Sequence, residues 1–237
     1  MSIMFLGIAT IPDFELGERL YGLHDLSEKD VSRVMATKNR EAGNDSGMLP
    51  QHMQRVLVIS VLFQDKDSLK IWSVGDAESD EGDLLKILQR YADEYKPAVV
   101  TWCGDESIFP VLNFRYLSHG TQSPLFSSRT NLLPELAGSS NNKPFSLHEV
   151  AVLAGSPGNK EMSGDEVLDY YLQGDVEPVR NNLELQLINT RQIYQRWQLV
   201  NGKIDQSAYE SEKQLLLKVL QNEDKKHLKN YAAAEQN

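Results

Sequence analysis

Few side chains in this sequence stand where chemistry could be done. The five histidines, His24, His52, His119, His148 and His227, are scattered, with no pair at metal-ligand spacing and no Cys/His pair at zinc-finger spacing; they read as surface or helix-end residues. The single cysteine, Cys103, follows an apolar run, where a strand gives way to a helix N-terminus that can activate a thiolate. No histidine lies near it, so it reads as an inert thiol. Trp102 beside it, and Trp197 with Tyr194, offer faces on which a nucleobase can stack, although aromatics at such positions usually fill cores. Arg180, Arg191 and Arg196 recur along one helical stretch, and Lys225, Lys226 and Lys229 near the C-terminus. Both groups read as solvated helix faces rather than a phosphate-tracking groove. Lys160, in Pro-Gly-Asn-Lys, resembles no phosphate loop.

The elements that must position these residues alternate in type. A strand is predicted over 3–11, and a second over 54–64, whose near-continuous apolar run suggests burial on both faces. A third over 69–74 follows a short polar turn, so the second and third should form an antiparallel hairpin. An amphipathic helix over 80–95, with Leu84, Leu85, Leu88 and Tyr91 inward, leads to a buried fourth strand over 97–102. Helices are predicted over 108–117, 146–154, 164–172 and 176–199, and helical chain from 205 to the end. The 146–154 helix is closed by Gly155, with Pro157 preventing continuation. Residues 14–50 are polar, with helical patterning over 27–39, and read as an insertion over one sheet edge with a mobile Gly-Asn-Asp-Ser-Gly tip at 43–47. The 118–143 stretch reads as loop around one apolar segment, 131–136.

The chain has 237 residues, 41% of them hydrophobic, enough for a full core, and we expect one domain over 1–237. No apolar run approaches the roughly 20 residues that span a bilayer, and the start lacks a basic flank and a cleavage site. One cysteine excludes an internal disulfide, so a reducing, cytoplasmic location is expected. A net charge of −10 argues against nonspecific nucleic-acid binding without excluding a local basic groove.

Residues 3–13 read I-M-F-L-G-I-A-T-I-P-D, 103–115 begin C-G-D-E-S-I-F-P-V-L and end on Arg115, and 179–190 read V-R-N-N-L-E-L-Q-L-I-N-T. With L-H-E-V-A-V-L-A-G-S-P-G-N-K-E-M-S-G-D-E-V at 147–167, these resemble the motifs of the DNA polymerase B-type 3′-5′ exonuclease-like family over almost the whole chain. The resemblance implies a ribonuclease H-like α/β fold, a central mixed five-stranded sheet flanked by helices with a helical C-terminal part. In that family two divalent cations rest on four carboxylates, with a tyrosine near the attacking water. The corresponding positions here are Gly7, Ala9, Ile108 and Gln186, with Asn182 at the tyrosine. The family's H-x-D-L segment appears as Arg129, Thr130, Asn131, Leu132.

The resemblance therefore implies a nuclease architecture without its ligands: no catalytic residue and no cofactor are expected. Asp105, three residues before Ile108, is a weak candidate for one cation, whereas Glu184 should point away from Gln186 around a helix. The expected function is a catalytically inactive exonuclease-like protein, a binding module for a protein partner or single-stranded nucleic acid, with Trp102, Cys103, Arg115 and Arg180 as candidate nucleic-acid contacts. The acidic composition favours the protein partner, and a homo-oligomer is compatible with the sequence. The alternative is an active exonuclease using Mg²⁺ or Mn²⁺ in a rearranged site.

Overall fold

In a computed structural model, described over residues 2–44, 48–66, 68–76, 79–138 and 145–236, five strands form one sheet in the order β3-β2-β1-β4-β5. They are β1 (Ile3–Pro12), β2 (Gln54–Asp65), β3 (Ser68–Ser73), β4 (Ala98–Thr101) and β5 (Ser128–Asn131). The β1–β2 and β2–β3 pairs are antiparallel, and β4 runs parallel to β1 and β5 to β4. The sheet is thus mixed, with the expected hairpin. The β1–β2 register shifts between Ala9 and Thr10, where Leu57 of β2 has no partner on β1, a bulge near the end of β1.

Strand alternation sorts β1 between two cores. Met4 and Leu6 pack with Leu84, Leu85 and Leu88 of α3 (Glu81–Tyr95) and Val111, Leu112 and Tyr116 of α4 (Phe109–His119). Phe5 faces the other way, into Leu187, Ile188 and Tyr194 of α8 (Glu177–Val200), Leu216 and Leu220 of α9 (Gln206–Asn222) and Leu228 of α10 (Lys226–Glu235). The helical chain after 205 is therefore two helices, broken at Glu223–Lys225, and it supplies core side chains.

The 14–50 region differs from its predicted place at a sheet edge. It holds α1 (Phe14–Tyr21), not foreseen from its pattern, and α2 (Glu28–Glu41). Asp13 caps α1, its Oδ1 accepting from the Leu16 N–H at 3.1 Å, and Gly22 ends it in the left-handed region. Phe14, Val31 and Met35 then pack on Ile11 of β1 and Val58 of β2, two interior strands, together with Val167, Val179 and Leu183. Apolar residues on both helices need cover, and the end of the β1–β2 ladder supplies it. Residues 45–47 of the predicted mobile tip lie outside the described residues.

Between β4 and α4 the chain makes one π-type turn, Gly104–Ile108. After β5 comes α5 (Leu132–Ala137), then α6 (Leu147–Leu153) and α7 (Gly164–Leu172), each of the last two opened by a capping box, on Ser146 with Glu149 and on Ser163 with Glu166. β5 itself carries no periodic apolar signal; its exposed Ser128 and Arg129 explain why the stretch reads as loop. No helix among the described residues is long and apolar enough to cross a membrane.

Candidate functional site

Gly7 lies on the α8 side of β1, and α8 closes over it. A side chain begun there would place its Cβ 3.0 Å from Leu183 Cδ1 and 3.2 Å from Leu187 Cδ2. Alanine would require the leucine tips to yield a few tenths of an ångström; aspartate would have to displace them. Ala9, two residues along the same face, packs against the cluster that holds Leu183, Val167 and Val179. Beside Leu183 and Leu187, Gln186 Nε2 donates to Asn182 Oδ1 at 2.7 Å, the one-turn spacing putting both amides on one helix face. Asn182 also ties down the chain before α7: its Nδ2 donates to the Lys160 carbonyl at 2.9 Å, and its Oδ1 accepts from the Met162 N–H at 3.4 Å.

Ile108 goes elsewhere. It is 8% exposed and packs in the α3–α4 core with Met4 and Leu6, on the opposite side of the sheet from Gly7. An isoleucine at a helix start turns into the nearest apolar core, whereas a metal-bound carboxylate would turn toward its ion.

The turn before it is held by Asn131. Its Oδ1 accepts the Gly104 N–H at 3.0 Å and its Nδ2 donates to Glu106 Oε2 at 2.8 Å. An aspartate would supply the first contact and repel Glu106 at the second, so the amide suits this turn. Gly104 is required by packing: a Cβ there would lie 2.2 Å from Thr101 Oγ1 and 2.8 Å from the Phe109 ring. Cys103 Sγ lies 3.3 Å from Ser107 Oγ, and burial pushes its thiol above the usual range, so it is not an activated thiolate.

The other residues named from sequence are held inside the structure. Trp102 packs partly buried against the α8–α10 core, and its carbonyl accepts from Leu133 N–H at 2.9 Å. Arg115 is not an open phosphate contact. It is 7% exposed, bound to Asp13 and, through Nε and Nη2, to Glu81 at 2.7–3.0 Å. Arg180 donates to the carbonyls of Gly75 and Asp76 at 3.4 and 2.7 Å. Arg191 is fully buried against Gln64 and Glu212, and burial lowers its pKa to about 10 despite Glu212. Lys225 and His227 both reach Glu184, at 2.7 and 2.9 Å, so His227 is a largely buried partner rather than a surface residue. Glu184, 1% exposed, also accepts from Ser73 at 3.1 Å. It points away from Gln186 as its helical offset requires, and into a polar hub that sequence spacing did not reveal.

The donors at the motif positions do not fit a pair of hard cations. Gly7, Ala9 and Ile108 carry no ligand atom, and Gln186 offers a neutral amide already paired through its nitrogen. Asp105 is exposed, and among the described residues no three His, Cys, Asp or Glu side chains are gathered to hold a metal.

Over residues 46–133 and 128–235 the chain matches the family described as a predicted 3′-5′ exonuclease related to the exonuclease domain of PolB. The chain belongs to this family. The matched segments contain the turn at Ile108 and all of α8, and they begin after β1, so at Gly7 and Ala9 the comparison rests on the local likeness of residues 3–13. The fold of this exonuclease-family chain is also that of a solved structure, the family B DNA polymerase from the hyperthermophilic archaeon Pyrobaculum calidifontis. The TM-score is 0.52 at 13% identity, over 98% of this chain and 27% of the polymerase. The chain thus spans about a quarter of that enzyme's length. Among curated proteins none matches.

Proposed function

We propose that this chain is an exonuclease-family member that does not cleave nucleic acid and serves as a binding module for a protein partner. The observation that carries the reading is the β1–α8 seam: where the family's first carboxylate stands there is Gly7, with Leu183 and Leu187 against it and a neutral Asn182–Gln186 pair alongside. Function resides in the site and not the fold, so the family's hydrolytic chemistry is not inherited without its ligands. A protein partner is favoured over nucleic acid because Arg115, Arg180, Arg191 and Lys225 are spent on internal carboxylates and carbonyls, in a chain of net charge −10.

The test is incubation of the purified protein with 5′-labelled single-stranded DNA and RNA, with Mg²⁺ and with Mn²⁺, each sample run on denaturing and native gels. Unshortened, unretained strands are expected. A metal-dependent ladder growing from the 3′ end would overturn the loss of catalysis and restore the rearranged-site exonuclease. Retention without shortening would move the partner to single-stranded nucleic acid.

A further inference from the structure

β3 stands at one edge of the sheet and pairs with β2 without a bulge, from Ser60 opposite Ser73 to Asp65 opposite Ser68. The Val74 N–H bonds to the Ile59 carbonyl at 2.7 Å, which fixes the phase of this ladder. Hydrogen-bonded pairs alternate along an antiparallel ladder, so Ser68, Lys70 and Trp72 turn their N–H and C=O groups toward β2. Those of Leu69, Ile71 and Ser73 turn outward, and they bond to no other described residue. A row of free donors and acceptors of this kind is a template for one more strand.

The side chains along the edge say which strand fits. Leu69 and Ile71 are buried in the α8–α10 core, so pairing would engage only their main chain. On the opposite face Lys70 is exposed and forms no ion pair with a described residue, while Trp72 is half-buried, edge-on to Tyr91 at 5.6 Å. Tyr91 is in turn stacked on Tyr95 at 6.2 Å. A lysine on an edge strand ordinarily discourages pairing. Between two copies of β3 its effect depends on register. A two-fold axis at Lys70 sets two lysines directly opposite each other, where like charges repel. An axis at Trp72 leaves the Leu69 groups unpaired. An axis at Ile71 pairs all three outward residues, Leu69 with Ser73, Ile71 with Ile71 and Ser73 with Leu69. That same register sets Lys70 opposite Trp72 of the second copy, twice by symmetry, so that each ammonium meets an indole.

We propose that the protein forms a homodimer through β3, paired antiparallel about a two-fold axis at Ile71, which joins the two sheets into one. β2 separates this edge from the Gly7 seam on β1, so the assignment stands whether or not the chain cleaves nucleic acid.

Sedimentation equilibrium of the unmodified protein over a range of concentrations should show the mass rising from monomer to dimer and no further, since an isologous pair closes. Lys70→Ser, at an exposed position, should weaken dimerisation roughly tenfold, because two symmetry-related contacts are lost together. Lys29→Ser, exposed on α2, should leave the constant within about twofold. Cysteine linkage in a Cys103→Ser background reads the register. Opposed residues that are not hydrogen-bonded to each other have Cα atoms about 4.5 Å apart, within disulfide reach. Lys70→Cys mixed with Trp72→Cys should therefore link on mild oxidation, and neither variant alone should do so. Monomer at every soluble concentration, linkage of Lys70→Cys alone as fast as the mixture, or an unchanged dimerisation constant in Lys70→Ser would overturn the proposal.

Discussion

At the scale of single residues, the four positions that the motif likeness aligns with the family's carboxylates carry no acid: Gly7 has no side chain, Ala9 and Ile108 pack on apolar clusters, and Gln186 bonds to Asn182. Ile108 is the sharpest case, because its isoleucine contributes to the α3–α4 core. Ile108→Asp should lower stability by about 2–4 kcal/mol, from lost apolar burial plus a carboxylate with no cation beside it. Denaturant melts in EDTA measure this; a variant as stable as the parent would mean that the side chain finds water and that the position is free to carry a ligand. Cys103 belongs to the same scale. Its thiol, raised by burial, should react with iodoacetamide at pH 8 much more slowly in the folded protein than in urea. Equal rates would show the thiol to be open and active.

At the scale of elements, the polar residues that matter join one segment to another. Asn131 at the end of β5 holds the Gly104–Ile108 turn by two hydrogen bonds, one of them to a buried N–H. Asn131→Ala should cost about 1–3 kcal/mol, the range for leaving a buried donor unpaired. Hydrogen exchange at Gly104 should accelerate more than at α3 amides; unchanged exchange would assign the turn's order to packing alone. Glu184 plays the corresponding part between α8, β3 and the start of α10. Burial opposes its charge, but His227 and Lys225 outweigh that and hold its carboxyl below the ordinary carboxylate range. A carboxyl with a depressed folded-state pKa adds stability that is full above its unfolded value and is lost as pH falls through the lowered one. Glu184→Gln should therefore destabilise the protein by about 3 kcal/mol near neutrality and flatten the acid limb of its stability profile. An acid limb of unchanged slope would show that other carboxylates control it.

At the scale of the whole molecule, one buried cation ties together distant parts of the chain. Arg115 on α4 meets Asp13, which caps α1, and Glu81, which opens α3 and also takes the Val56 N–H and a contact from His119. The helical segment after β1 is thereby fixed to the sheet by an ion network as well as by Phe14, Val31 and Met35. Arg115→Met keeps much of the volume but leaves two largely buried carboxylates without their partner, which should cost about 3–5 kcal/mol. Because both acids stand at helix starts, proteolysis should speed up within 14–41 in the variant. Loss of stability without faster cleavage there would show that apolar packing alone holds α1 and α2.

Much of this was legible in the linear chain because it depends on local pattern. The apolar runs of β2 and β4, the amphipathic period of α3, and Gly155 and Pro157 closing the helix after Ser146 need no tertiary knowledge. The motif likeness adds the mixed five-stranded order and marks Gly7, Ala9, Ile108 and Gln186 as positions that lack a carboxylate and Asn182 as one that lacks the tyrosine. Tertiary structure alone decided the rest, since it depends on which groups from remote segments meet in a medium that penalises unpaired charge. The motif likeness made Arg115 and Arg180 candidate nucleic-acid contacts, and helical patterning read Arg180, Arg191 and Lys225 as solvated faces. Folding brings all four to acceptors far away in sequence, as it brings His227 to Glu184. The same holds for α1, weak in pattern but seated on Ile11 and Val58, and for β5, which pairs with β4 without an apolar face of its own. A one-dimensional pattern records which side chains want burial, whereas only the packed chain determines which charges are already satisfied and by which remote partner.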